Sequence, residues 1–390
     1  PLGGAQVVPH VEHLAALGFP IDVLSFEKAT DLGNDCRRRA MAARLAAAGV
    51  RWSARRYHRR PAVPATAWDV ASGTVAAIAR RPRLVHARGY VAALIGLAVK
   101  RATGAALLFD MRGFWIDERL EAGLWRQGSR RVRVARRLER RLLAGADAIV
   151  LLTVRGADQL ERLAGGAVLP PVRVIPTCVD LRRFRPPDDR ARARAGLGLP
   201  PGPVVVHAGT LSTWYLTEAT FAIGAAFARR VGGTFVVLTH EVELASRLAV
   251  RLAPSAIVRA VDHEEVPRWL AACDAGLAAV RPGPAKLASA PTKIGEYLAC
   301  GLAVGATRGV GDLDLQLAGS EVAFTFDPAA DPEAVAQRLA VAAARPGREP
   351  TARALARRLY ALDRGVASYA DAYRELGMAP AAAAVAGECA

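Results

Sequence analysis

Pro291-Thr292-Lys293-Ile294-Gly295-Glu296-Tyr297-Leu298-Ala299-Cys300-Gly301-Leu302-Ala303-Val304 reads as a short loop, a helix stopped by Gly301, and a buried strand. A helix feeding an apolar strand through a glycine is one piece of an α/β unit, and the alternation recurs along the chain. Residues 21–26, 84–86, 105–110 and 148–152 read as strands, with helices over 90–100 and 130–143. Strand patterns return at 204–206, 235–238, 257–258, 276–280 and 302–305. This is the pattern of parallel, doubly wound α/β sheets. It pauses at Pro170-Pro171 and Pro186-Pro187, around a segment rich in Arg and Asp, which puts a domain boundary near residue 180. The expected layout is a domain over 1–180, a second over 181–350, and a final helix, about 351–376, that caps either domain ahead of an Ala-rich tail. Two such domains form a cleft at the carboxyl ends of their sheets, where open α/β folds bind ligands.

The 390 residues are 52% hydrophobic, which argues against intrinsic disorder. Lys plus Arg number 53 against 36 Asp plus Glu, a net charge of +17, and 49 of those cations are Arg. Nucleic acid, anionic lipid and phosphorylated ligands are all admissible partners on charge alone. Cysteines 36, 178, 273, 300 and 389 are odd in number and contain no C-x-x-C pair, so neither a zinc site nor a disulfide scaffold is indicated. The apolar run 90–99, bounded by Arg88 and Lys100, falls short of the roughly 20 residues of a spanning helix. With no charged leader and apolar core at the start of these residues, a reducing, cytoplasmic location is expected. The histidines show no metal-ligand spacing, and Asp312-Leu313-Asp314 is too short a match to predict a metal site, so none is expected.

Three segments carry candidate chemistry. Gly3-Gly4-Ala5-Gln6 precedes a helix with Val7, Val11, Leu14 and Leu17 on one face, Gly18 as its stop and Pro9 inside it. Glycines at a helix start let a ligand approach free amides, although a plain turn has the same sequence. In Phe109-Asp110-Met111-Arg112-Gly113-Phe114-Trp115, charge and aromatics gather where a strand delivers its carboxyl end. Asp110 and Arg112 then either form a buried salt bridge or face the cleft and touch substrate. Lys293 and Glu296, one helical turn apart, can set a cation on phosphate and a carboxylate on vicinal ribose hydroxyls.

Four blocks in order, Gly3-Gly4, Val174-Ile175-Pro176-Thr177-Cys178-Val179-Asp180, His207-Ala208-Gly209-Thr210 and the 291–304 stretch, resemble the family 4 glycosyltransferases, over nearly the whole chain. The resemblance implies the GT-B fold, two Rossmann-like domains facing a cleft, and retaining transfer of a sugar from a nucleotide-sugar donor to an acceptor hydroxyl. The 110–119 stretch looks like a subgroup active in bacterial surface-glycan assembly. By this resemblance Glu296 matches the second Glu of a Glu-x7-Glu motif and holds the donor ribose, while the first Glu is replaced by Ala288. The 209–218 loop also lacks the Arg and Lys that relatives place on the diphosphate, so Lys293, Arg281 or Lys286 must supply that charge. Arg112 takes a catalytic-loop position where many relatives carry His before Gly. A further strand ahead of Pro1 is also implied.

The expected site is therefore Arg112, Asp110 and Lys293 as catalytic groups, and Glu296, Lys293, Gly209, Thr210, Arg281, Thr292, Gly3 and Gly4 around the donor. His58, Arg88 and Tyr90, in first-domain loops, are the acceptor-side candidates, with no metal and no cofactor beyond the nucleotide-sugar substrate. The acceptor is expected to be a glycan or lipid-linked. Seven arginines from Arg130 to Arg141 oppose Val132, Ala135, Leu138 and Leu142, and this cationic helix is either an ordinary surface helix or a dock for anionic headgroups on the inner face of the plasma membrane. A non-catalytic nucleotide-sugar-binding protein and a nucleotide-sugar epimerase are the alternative readings. No specific nucleic acid is expected, because no nucleic-acid motif accompanies the charge.

Overall fold

A computed structural model describes residues 6–164, 166 and 168–380; Gly3, Gly4 and the end of the Ala-rich tail lie outside the described residues. The first domain holds β1 (Asp22–Glu27) paired in parallel with β2 (Arg51–Arg56), and a parallel sheet of β3 (Leu84–Arg88), β4 (Ala106–Asp110), β5 (Ala148–Leu151) and β6 (Val172–Val174) in sequential order. The second contains β7 (Val204–Ala208), β8 (Thr234–Leu238), β9 (Ile257–Arg259), β10 (Ala275–Ala278), β11 (Ala303–Thr307) and β12 (Ala323–Phe326). Its order, β12-β11-β10-β7-β8-β9, is parallel throughout and reverses direction between β7 and β10. That reversal opens a crevice at the carboxyl ends of β7 and β10, the usual ligand position in such sheets. The central strands are short apolar runs buried on both faces, as helix-covered parallel sheets require.

Pro9, expected to kink its helix or restrict the helical stretch, does the latter: the α-helix runs Val8–Ala16 with Pro9 in its first turn, where a proline has no intrahelical amide bond to lose. This helix buries Val8, His10 and Leu14, while Leu17 is exposed. The charged sequence of β2 forms a strand because Arg51 pairs with Asp22 at 2.6 Å and Trp52 donates to the Ser25 hydroxyl at 2.8 Å across the ladder. The final helix is two, Arg348–Tyr360 and Leu362–Glu375, separated by an extended Ala361.

The break at Ala361 has a clear cause. Val179, on the link between domains, donates to the Tyr360 carbonyl at 2.7 Å and accepts from the Leu362 amide at 3.0 Å. Helix 348–360 packs into the second-domain core with Leu298 and Leu302, whereas helix 362–375 crosses to Leu14, Phe19, Val150 and Ile175 of the first domain. The 3-10 turn Pro284–Ala288 is also an inter-domain contact. Glu121 accepts from the Ala285 amide at 2.6 Å, Thr153 donates to the Leu287 carbonyl, and Ala288 is fully buried against Gly156.

Gly365 sits where the returning helix meets the link, and a Cβ there falls 2.3 Å from Cys178 Sγ. Gly365→Ala is expected to lower the unfolding free energy by about 1–3 kcal/mol, the usual cost of overpacking, as read in a urea melt.

Candidate functional site

β7 is followed at once by Gly209, whose φ of +121° is strained for any residue with a side chain. A Cβ here would also lie 3.2 Å from Lys293 Nζ, so glycine is what lets the ammonium reach the strand end. Lys293 is 7% exposed, and its Nζ has no hydrogen-bond partner among the described residues. The ammonium lies 4.2 Å from the centre of the Tyr215 ring, and its charge holds the Tyr215 hydroxyl below its ordinary pKa. Burying an ammonium is costly without a counter-charge, so this position is suited to an anion that the protein does not itself provide.

Glu296 follows three residues later on the same face of helix Thr292–Ala299. It lines a narrow cleft with Gln6, Arg183 and His263. Burial pushes its carboxyl up to about 7, against the pull of Lys293 and Arg183. Thr292, half-buried, opens the helix. His207 lies beneath the site with its pKa lowered to about 3 by burial and by Lys293, so it adds no charge. Its Nε2 contacts the Thr210 carbonyl at 3.1 Å, while Thr210 itself is exposed.

The 209–216 loop is held by Glu241, which accepts from the amides of Leu211 at 2.6 Å and Ser212 at 3.1 Å. Lys286, one of three cations considered for the diphosphate, is already engaged: its Nζ bridges to Glu118 of the first domain at 2.9 Å and covers the Trp214 ring at 3.8 Å. Arg281 is exposed, with its amide bonded to the Trp214 carbonyl at 2.7 Å and no carboxylate partner for its side chain among the described residues. Lys293 and Arg281 therefore remain as uncompensated charge near the crevice.

Across the cleft, Asp110 ends β4 with no exposed surface. Its Oδ2 accepts from Tyr369 of the returning helix at 3.1 Å and lies 3.5 Å from Arg88 and 3.6 Å from His86, and its Oδ1 is 3.8 Å from Arg112. Burial opposes ionisation, yet Arg112, His86 and Arg88 together hold the carboxyl below its ordinary pKa. Of the two alternatives for Asp110, the geometry is that of the buried salt bridge: the carboxylate has no exposed surface and faces Tyr369, His86, Arg88 and Arg112. Arg112 has φ +60°, a backbone conformation that side-chain-bearing residues enter at a cost and that concentrates at ligand sites. The charges of Arg88 and Arg112, after burial, bring His10 down to about 3, so its imidazole is neutral.

The acceptor-side candidates separate. Arg88 belongs to the Asp110 cluster. Tyr90 donates to Glu139 at 2.6 Å and packs edge-on against Phe109, so its hydroxyl is committed to the first-domain core. His58 bonds through Nδ1 to buried Asp69 at 2.5 Å, in a different cavity lined also by Arg56 and Trp68. Asp312 and Asp314 have structural roles: Asp312 accepts from the Val154 and Arg155 amides, and Asp314 pairs with Arg155 at 3.2 Å. Tyr215 and His10 were not anticipated, and Gln6 and Glu118 only as members of the 3–6 and 110–119 segments. The Trp214-Tyr215 pair just beyond a strand end was a usable signal for the first; the others required distant elements to meet.

Residues 3–178 match the family described as glycosyl transferase 4-like domain. Among curated relatives, the D-inositol 3-phosphate glycosyltransferases of Nocardia farcinica and Saccharomonospora viridis are 38% and 41% identical over 96 residues, 24% of this chain. The match spans about a fifth of those relatives' length, 21% and 22%. Two solved structures align over nearly the whole chain. HepE of Anabaena in complex with UDP is 18% identical with a TM-score of 0.67 and covers 96% of this chain and 97% of that one. Sucrose-phosphate synthase of Thermosynechococcus elongatus is 16% identical with a TM-score of 0.65 and covers 92% and 99%. The chain has the GT-B fold of these proteins.

Glu296 makes stability depend on pH. Its folded pKa of about 7 exceeds the ordinary 4.5, so the stability from its protonated form is full below pH 4.5 and is lost as pH rises through 7. Glu296→Gln is expected to abolish that loss, gaining about 3 kcal/mol over wild type across this interval in urea melts at a series of pH values.

Proposed function

We propose that this chain, a GT-B protein whose residues 3–178 form a glycosyl transferase 4-like domain, is a retaining glycosyltransferase that moves a sugar from a nucleotide-sugar donor to an acceptor hydroxyl. The observation that carries the reading is the buried, unpartnered Lys293 ammonium at the β7–β10 crevice, one helical turn from Glu296. A nucleoside diphosphate supplies the missing counter-charge at Lys293, and its ribose hydroxyls donate to Glu296. Arg112, oriented by Asp110, adds positive charge from the first domain. Catalysis is then mainly electrostatic. Lys293 stabilises charge on the departing diphosphate, and the acceptor hydroxyl attacks from the same face, passing its proton to the leaving phosphate oxygen. No side-chain nucleophile is needed.

The reading extends to surface polysaccharide or glycolipid assembly on the cytoplasmic side of a membrane. No helix among the described residues is long and apolar enough to cross a bilayer. Helix Arg130–Gly145, however, leaves Arg130, Arg131, Arg133, Arg137, Arg140 and Arg141 exposed, with only Arg136 of the run tied inward, to Asp117 and Glu139. Such a face suits anionic headgroups, at about 1 kcal/mol per basic residue near the surface.

One observation favours a second reading, nucleotide-sugar binding without transfer. Ala288, at the position where the resemblance implies the first Glu of the motif, is buried in the inter-domain contact. The readings separate by assay: binding with neither transfer nor donor hydrolysis supports the second.

Lys293→Met tests the shared site. Since it removes a buried charge, the variant is expected to melt no lower than wild type, while its calorimetric affinity for UDP, the first of a nucleotide panel, falls roughly 10- to 100-fold. Unchanged affinity for every nucleotide that binds wild type would remove Lys293 from the site.

A further inference from the structure

Helix Ala62–Ile78 contains one charged residue, Asp69, which is buried and bonded to His58. Ala65, Asp69 and Gly73 form its inner face, and a Cβ on Gly73 would lie within 3 Å of Ile95 and Phe26. The opposite face is apolar and open to solvent: Val63 is 80% exposed, Trp68 64% and Val75 70%. Residues 63, 67, 71 and 75 repeat every four positions and are all exposed Val or Ala, so they form a line along the helix with Trp68 beside it. Single exposed apolar residues are ordinary; an uncharged stripe running the length of a helix is not.

The stripe has a basic margin. Arg55, Arg56, Arg59 and Arg60 lie in and just beyond β2, and none pairs with a carboxylate among the described residues. Trp68 shares the wall of a cavity of about 290 Å³ with Arg55, Arg56 and His58, so guanidinium and indole open onto the same space. A second copy of the chain is disfavoured as the occupant, because a symmetric contact would bring this arginine cluster toward itself. Helix Tyr90–Thr103 packs against both this helix and helix 130–145, which puts the apolar stripe and the exposed arginines of 130–141 in one helical layer of the first domain.

We infer that helix 62–78 docks on an anionic lipid surface, with Val63, Trp68 and Val75 entering the headgroup–acyl boundary and the 55–60 arginines taking lipid phosphates. An interfacial helix has this form: an apolar face carrying Trp and a basic margin that holds it to anionic headgroups. The inference deepens the membrane part of the reading above and is independent of the transfer reaction.

Flotation of the full chain with phosphatidylglycerol–phosphatidylcholine vesicles, and with phosphatidylcholine vesicles as control, tests it at low and high salt. Salt screens the arginines but leaves apolar insertion in place. Wild type is expected to prefer the anionic vesicles and to stay partly bound at high salt. The W68S/V75S double variant, changed only at exposed positions, is expected to partition at least about tenfold less at high salt. R137E/R140E is expected to lose binding chiefly at low salt. If W68S/V75S floats like wild type while R137E/R140E is released, helix 62–78 is not the inserting element and the charge reading of helix 130–145 stands alone. No preference for anionic vesicles overturns both. A wild-type dimer in gel filtration that W68S/V75S abolishes, with vesicle binding unaltered, assigns the stripe to a second copy and overturns the inference.

Discussion

Two backbone hydrogen bonds at Val179 fix the relation between the domains. The link residue is held between Tyr360 and Leu362, so the chain is clamped where it leaves the first domain and again where it returns. Helix 348–360 belongs to the second-domain core and helix 362–375 to the first, and Ala361 must be extended to serve both. Because Tyr369 lies on the returning helix, the same crossing sets the Asp110 cluster and, through it, Arg112. The positions of the first-domain charges opposite Lys293 and Glu296 thus follow from how the link and the C-terminal helices meet.

Lys286 and Lys293 show how one segment divides its charges. Both are nearly buried and both lie over an aromatic ring, yet among the described residues Lys286 has a carboxylate from the first domain and Lys293 has none. The paired lysine closes the domains over the 284–288 turn. The other carries its desolvation cost without a carboxylate among the described residues, and the proposed donor diphosphate would offset it. Glu296 carries a related cost, since burial pushes its carboxyl up against the pull of Lys293 and Arg183.

The fold was largely legible because its signals are local. Central strands such as 204–206 and 235–238 are apolar runs, and glycines such as Gly301 stop helices wherever the chain lies in space. β2 and the break at Ala361 were not legible, since a charged strand is stabilised by its partner β1 and the break by a residue 182 positions away. Among site residues, Lys293, Glu296 and Gly209 do converge at the crevice and its adjoining cleft. Tyr90, His58 and Lys286 had equal standing in the sequence, and only their partners Glu139, Asp69 and Glu118 distinguish them.

The sequence by itself determined the class of fold, the central strands of both domains, and the helix that sets Lys293 one turn ahead of Glu296, because periodicity and glycine punctuation act over a few residues. The tertiary structure alone decided which charges are neutralised. Asp110 is a buried hub, Lys286 an inter-domain bridge and Lys293 an ammonium without a hydrogen-bond partner among the described residues because the field at each group is set by residues distant in sequence and close in space, at 2.9 Å for Lys286 and Glu118.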